Sequence, residues 1–214
     1  PRALECQRRS LELAEALGDR VGVKRSLGNI GNLYMRLGEY QRALEHQEQS
    51  LQLAEELGSA GGIAATLGNI GIIHAKLRDY PLALEYQQKA LAAAREIGES
   101  HIEISNLGGI ASVHLTEGHP SEAARFAREA VTALQRQVRG LAEEQGTLAR
   151  EQWAAVFDTG VSAAMALGDA GDAAFFLESS RAGGLLESLG GGDALRSRAV
   201  PETLRVLERE ARAR

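Results

Sequence analysis

"LGNIG" (residues 27–31) recurs letter for letter at 67–71, and a blurred copy, "LGGIA", stands at 107–111. The interval is 40 residues each time, and sliding the whole sequence by 40 aligns much more than these pentapeptides. Ala3, Ala43, Ala83 and Ala123 coincide, as do Leu11, Leu51, Leu91 and Val131, and Gly18, Gly58 and Gly98. "YQRALEHQEQSLQLAEELG" (40–58) and "YPLALEYQQKALAAAREIG" (80–98) are copies of one segment, and "PRALECQRRSLELAEALG" (1–18) is a third. Self-similarity at a fixed interval of roughly 20–50 residues marks a stacked-repeat architecture.

Each unit reads as two helices. Leu27, Ile30, Tyr34 and Leu37 recur at i, i+3, i+7 and i+10, an apolar stripe of helical period. Gly38 interrupts the chain, and a second amphipathic run over 41–57 is closed by Gly58 in the position of a helix C-cap. So short a turn forces antiparallel neighbours, and one such hairpin buries its apolar face only by stacking on the next. The spacing predicts helices over 1–17, 21–37, 41–57, 61–77, 81–97, 101–117, 121–144, 147–167 and 171–189, with Ala43, Ala83 and Ala123 buried between paired helices.

Composition agrees. Aromatic residues are only 4% of the chain, so the core falls to Ala, Leu, Ile and Val, and Ala and Leu favour helix. A net charge of −5 leaves no basic stripe for nucleic acid, and no apolar run is long enough to cross a membrane. Cys6 is the single cysteine, which excludes an internal disulfide and fits a reducing, cytoplasmic setting. The chain opens at Pro1, halfway through a repeat, and the expectation is a piece of a longer protein.

The fourth unit departs from the interval. Ala173, in "GDAGDAAFFLESSRAGGLLESLG" (168–190), sits 50 residues after Ala123, and the extra ten are read as longer helices meeting near Gly146. The expected organisation is a helical array over 1–190: a half repeat at 1–18, then repeats near 21–58, 61–98, 101–144 and 147–190. A Gly-rich linker at 191–200 follows, and a further helix starts at 201, where Pro201 and Glu202 suit a first turn.

The small and aromatic residues at Gly31, Tyr34, Gly38, Tyr40, Ala43 and Leu51 resemble the tetratricopeptide repeat (TPR) pattern. The 40-residue interval and Leu-Gly-Asn are similar to its LGN/Pins-type subclass. The resemblance implies an all-α, right-handed superhelix of antiparallel hairpins, non-catalytic and serving protein interaction. "FLESSRAGGLLESL", the Gly-rich stretch and "VPETLRVLERE" look like the junction of bacterial TPR–CHAT proteins, where a TPR array precedes a caspase-like peptidase domain. That likeness implies a scaffold or sensor arm of a larger bacterial protein. The alternative is a peptide-binding regulator or assembly adaptor with no peptidase domain.

No residue pattern asks for catalysis, a metal or a cofactor. His74 and His114 take the stripe position of Tyr34 and read as packing residues, since metal sites need three or four convergent ligands. Cys6 aligns with His46, Tyr86 and Phe126 and reads as a helix-face packing residue without a base to activate it. Glu55–Glu56 and Glu143–Glu144 are sequence neighbours that diverge by about 100° on a helix. "GNIGN" and "LGGGD" lack the strand and the Gly-Lys-Ser/Thr ending of a phosphate loop.

The face opposite the apolar stripe carries the candidate site. Arg25, Asn29, Asn32 and Arg36 fall within about 60° of one another on a helix. Asn69, Ile72 and Lys76 are copies of Asn29, Asn32 and Arg36 one repeat on. The resemblance implies that this face lines a concave groove in which Asn29 and Asn69 hold an extended peptide backbone. Gly109 replaces the third such asparagine. A merely solvated face, its asparagines repeated through shared ancestry, is the competing reading. Arg25, Arg36 and Lys76 favour an acidic peptide or a free C-terminus.

Two further expectations concern glycine and the N-terminus. Gly31 and Gly71 admit a paired helix, whereas Gly28, Gly68 and Gly108 either leave room for a ligand backbone or relieve crowding between successive first helices. Ala3, Leu4, Leu11 and Ala14 include positions without a covering helix, so weak self-association through the N-terminal helix is expected.

Overall fold

The computed structural model describes residues 2–138 and 152–190, with side chains described as far as Ser180. Among these residues there are nine helices and no strand: α1 (Arg2–Ala16), α2 (Arg20–Arg36), α3 (Tyr40–Glu56), α4 (Ala60–Lys76), α5 (Tyr80–Ile97), α6 (Ser100–Thr116), α7 (Pro120–Val138), α8 (Ala154–Leu167) and α9 (Ala170–Gly190). The first six and the last begin and end within one residue of the spans expected from periodicity. α8 begins at Ala154, after a break at Trp153 that falls inside the expected span 147–167, while the expected start at 147 and the expected end of α7 at 144 lie outside the described residues. Trp153 leaves the helical region (φ −104°, ψ 18°), and its carbonyl accepts from Val156 N–H at 2.9 Å, a tightened turn that opens the helix. The expected helix junction near Gly146, the linker at 191–200 and the helix from 201 lie outside the described residues, as do Glu143 and Glu144.

The chain divides into two compact units, residues 1–110 and 111–214, with the boundary inside α6. In the first unit the helices pack in chain order, α1 on α2, α2 on α3, α3 on α4 and α4 on α5, and α2 also touches α4. Ile30, Tyr34, Ala43 and Ile73 form a buried cluster against which Leu4, Leu11, Met35, Tyr40, Leu44 and Leu77 pack. Ala43 and Ala83 are fully buried, as their place between paired helices requires.

Small residues make that pairing close. A Cβ on Gly31 would stand 2.8 Å from Gln47 Nε2, and one on Gly71 would stand 2.6 Å from Gln87 Cγ and 3.1 Å from the Ala83 carbonyl oxygen. Both glycines therefore admit the partner helix, α3 or α5. Gly68 does the same for the next first helix, since its Cβ would meet Asn106 Oδ1 of α6 at 2.9 Å. Asn106 is buried there and bonded to the Ile102 carbonyl at 2.8 Å. Relief of crowding between first helices thus accounts for Gly68, whereas Gly28 faces Ser50 Oγ of its paired helix at 3.3 Å.

One turn recurs along the chain. The amide of residue i+5 closes onto carbonyl i from Asp19 to Ala14, Glu39 to Tyr34, Ser59 to Ala54, Asp79 to His74, Glu99 to Ala94, His119 to His114 and Asp169 to Ala164, all between 2.8 and 3.0 Å. The residue before each donor has positive φ, and it is Gly every time except Arg78, at φ 63°. This closure fixes the antiparallel return and sets the side chains at its two ends near one another.

In the second unit α7 packs on α8 and α8 on α9. Ala123, Ala124 and Ala163 form its buried cluster, with Leu115 against them. Phe176 of α9 is fully buried over Gly160 of α8, whose added Cβ would stand 2.4 Å from the ring. Arg128 of α7 pairs with Asp172 and lies over the Phe175 ring at 4.0 Å, which ties α7 to α9.

Candidate functional site: a polar face on α2 and α4

All seven expected groove residues lie in the first unit on two helices that touch, α2 and α4. Arg25, Asn29, Arg36 and Lys76 are exposed, while Asn69 and Ile72 are half-buried. Among the described residues Arg25, Arg36 and Lys76 form no ion pair. Some other cations of this unit are matched, as Arg20 pairs with Glu56, Arg42 with Glu39 (2.6 Å), Lys89 with Glu85 (2.7 Å) and Arg95 with Glu103 (3.0 Å), whereas Lys24 and Arg78 are in no ion pair among the described residues.

The asparagines divide. Asn29 Nδ2 donates to Gln7 Oε1 of α1 at 3.3 Å, a long and exposed bond. Asn69 has no hydrogen-bond partner among the described residues. Asn32 is different: its Oδ1 accepts from Gln47 Nε2 at 2.8 Å, and the same amide donates to the Gly28 carbonyl at 3.1 Å. Asn32 Oδ1 is therefore engaged by the helix pair it sits on, and its side chain is half-buried.

Gln47 and its copy Gln87 are buried between paired helices, and Oε1 of each has no partner. Their signal was in the sequence. Ala43, Gln47, Ser50 and Ala54 fall at i, i+4, i+7 and i+11, so Gln47 stands in the narrow seam that small residues define.

The histidines do pack as expected. His74 stacks on Tyr86 (5.5 Å between centroids, 5° between planes) and His114 on Phe126 (5.5 Å, 7°), while His46 tilts against Tyr34. Burial pushes the His114 imidazole below the ordinary histidine range, and the nearby Glu122 and Glu117 carboxylates do not restore it. Convergence was not expected, yet one donor atom each from His114, Glu117 and His119 lies within 4.8 Å of the others. Cys6 departs from its expected packing role. It is exposed, whereas its copies His46, Tyr86 and Phe126 lean on rings from the preceding helix.

Antiparallel helix pairs repeated every 40 residues, with a polar face on successive first helices, define a helical-repeat protein. The tetratricopeptide repeat profile matches residues 1–56 and 62–136, more than half of the chain, and the chain belongs to that family. No curated protein matches it. Several solved structures share the fold at low identity. A STAND signal-transduction ATPase with a tetratricopeptide repeat sensor from Pyrococcus horikoshii superposes with a TM-score of 0.62 and 17% identity, over 97% of this chain and 30% of that one. A Rap protein complexed with Competence and Sporulation Factor gives 0.60 and 15%, over 95% of this chain and 57% of that one. A putative kinesin light chain with TPR-like repeats from Podosopora anserina gives 0.58 and 16%, over 88% and 95%. At such identities the likeness concerns the fold alone. The described helices include none long and apolar enough to cross a membrane.

Proposed function

We propose that this chain is a non-catalytic interaction scaffold that binds an extended, acidic peptide segment of a protein partner along α2 and α4. One observation carries the reading. Three exposed cations, Arg25, Arg36 and Lys76, stand unpaired on touching helices beside Asn29 and Asn69, whose amides offer both donor and acceptor. The family supports a segment of a protein partner as the occupant, and the Rap protein complexed with Competence and Sporulation Factor shares the fold. The STAND protein with its TPR sensor supports the role of a sensor arm within a larger protein. The resemblance of the stretch from Phe176 to a TPR–CHAT junction is what favours a bacterial protein carrying a CHAT peptidase domain and working in the cytoplasm. The alternative is a peptide-binding regulator or assembly adaptor without a peptidase.

Selection of a phage-displayed peptide library on the purified protein tests the reading. Recovered peptides should be rich in Asp and Glu, and their affinity should fall at least about tenfold, or 1.4 kcal/mol, in Asn29→Ala/Asn69→Ala. Recovery of basic or purely apolar peptides, or binding indifferent to that double variant, would contradict it. Weak self-association through the exposed apolar side chains of α1 and the turn after it belongs to the same proposal, because Leu13 and Leu17 are 61% and 73% exposed.

A further inference from the structure

The turn between α6 and α7 holds the one His–Glu–His convergence among the described residues. The recurrent turn produces it. His119 N–H closes onto the His114 carbonyl at 2.9 Å, so the two imidazoles face each other across the loop with centroids 6.1 Å apart. Glu117 lies inside the same loop, directly before Gly118, whose φ of 79° makes the return.

Comparison of the three repeats isolates what is special here. At the two closing positions they carry Tyr34/Glu39, His74/Asp79 and His114/His119, and at the position inside the loop Leu37, Leu77 and Glu117. The second repeat thus has two potential donors and the third has three. The ring pose is the same in both, with His74 stacked on Tyr86 and His114 on Phe126 at equal distances. In the second repeat that pose puts His74 Nδ1 3.8 Å from the Asp79 carboxylate. Both His74 Nδ1 and its equivalent, His114 Nδ1, are buried without a hydrogen-bond partner. The shared pose therefore aims an unpartnered imidazole nitrogen at the position that His119 occupies.

We propose that His114, Glu117 and His119 bind one divalent transition cation of the zinc type. Two imidazoles and a carboxylate are a donor set for zinc and its first-row neighbours rather than for calcium or magnesium, which prefer all-oxygen shells. Ligands about 2.0–2.1 Å from zinc stand about 3.3 Å apart in a tetrahedron, so donors within 4.8 Å close with a movement of about an ångström. Glu117 and His119 are exposed side chains free to make that movement, while the Phe126 stack holds His114 in place. The charges around the site are Glu117, Glu122 and Arg125, and Arg125 is itself engaged by Glu129 at 2.9 Å. Three protein ligands leave a fourth position open for water or a donor from a partner, and the cation links the end of α6 to the start of α7.

The test is calorimetric titration of Zn²⁺ into the untagged, chelator-treated protein at neutral pH. The expected result is one equivalent bound, with affinity reduced by at least roughly the 10–100-fold that even outer-shell changes cost, in both Glu117→Gln and His119→Ala. Both residues are exposed, so the variants keep the fold, and unchanged helicity and melting without zinc would show it. His101→Ala, an exposed histidine at the opposite end of α6, should bind as the parent does. No binding at micromolar zinc overturns the proposal. So does binding that survives either ligand variant, or binding that His101→Ala removes.

Discussion

Asn29 and Asn32 lie three positions apart on α2, yet their side chains are engaged differently. Asn29 is exposed and holds Gln7 by a 3.3 Å bond, so its loss should change stability by less than about 0.5 kcal/mol. Asn32 satisfies the buried amide of Gln47 at 2.8 Å, and Asn32→Ala should cost about 0.5–1.5 kcal/mol with little effect on peptide affinity. Urea melts and peptide titrations on the two single variants distinguish these outcomes. Helical periodicity put both residues on one face, but it carries no information about which seam side chain reaches up to meet them. Gln47 is polar, and polarity alone reads as solvated. Only its place between Ala43, Ser50 and Ala54 betrayed its burial. Phe176 poses the converse case of a residue whose fit depends on absence. Gly160→Ala would drive a methyl into the ring, and the second unit should lose about 1–3 kcal/mol by thermal melting.

At the scale of elements, the turn is the repeated device, and one copy breaks its own rule. Every positive-φ residue of the chain's described turns is Gly except Arg78. A left-handed residue with a Cβ costs roughly 1–2 kcal/mol, and Gly gives back roughly half of that as unfolded-state entropy. Arg78→Gly should therefore stabilise the protein by about 0.5–1 kcal/mol, read as a higher urea midpoint at unchanged slope. α1 narrows a second expectation. Of Ala3, Leu4, Leu11 and Ala14, the positions expected to include uncovered ones, Leu4 and Leu11 pack on the Ile30 and Tyr34 cluster and Ala14 is buried, while Ala3 is exposed together with Leu13 and Leu17. The helical period placed the stripe correctly and could not say which of its two edges α2 covers. Leu13→Glu/Leu17→Glu should abolish any self-association seen by sedimentation velocity and leave the helix content intact, whereas Leu4→Glu should lower stability instead.

For the whole molecule, nearly all of the fold was legible because the repeat was. A fixed 40-residue interval, two apolar stripes and a Gly at every described return but that of Arg78 determine helix order and pairing without any long-range contact having to be guessed. The break at Trp153 was not legible, since it follows the point where the interval lengthens and no second copy aligns with it. The His114, Glu117 and His119 convergence escaped for a different reason: it arises across a turn, from a backbone closure that no helical wheel displays. The binding face is the account's central claim, and hydrogen exchange on the protein with and without a selected acidic peptide tests it most directly. Protection should concentrate in α2 and α4, with α3 and α5 little changed, and should vanish in Asn29→Ala/Asn69→Ala. Protection centred on α3 and α5, or unchanged by that double variant, would contradict the account.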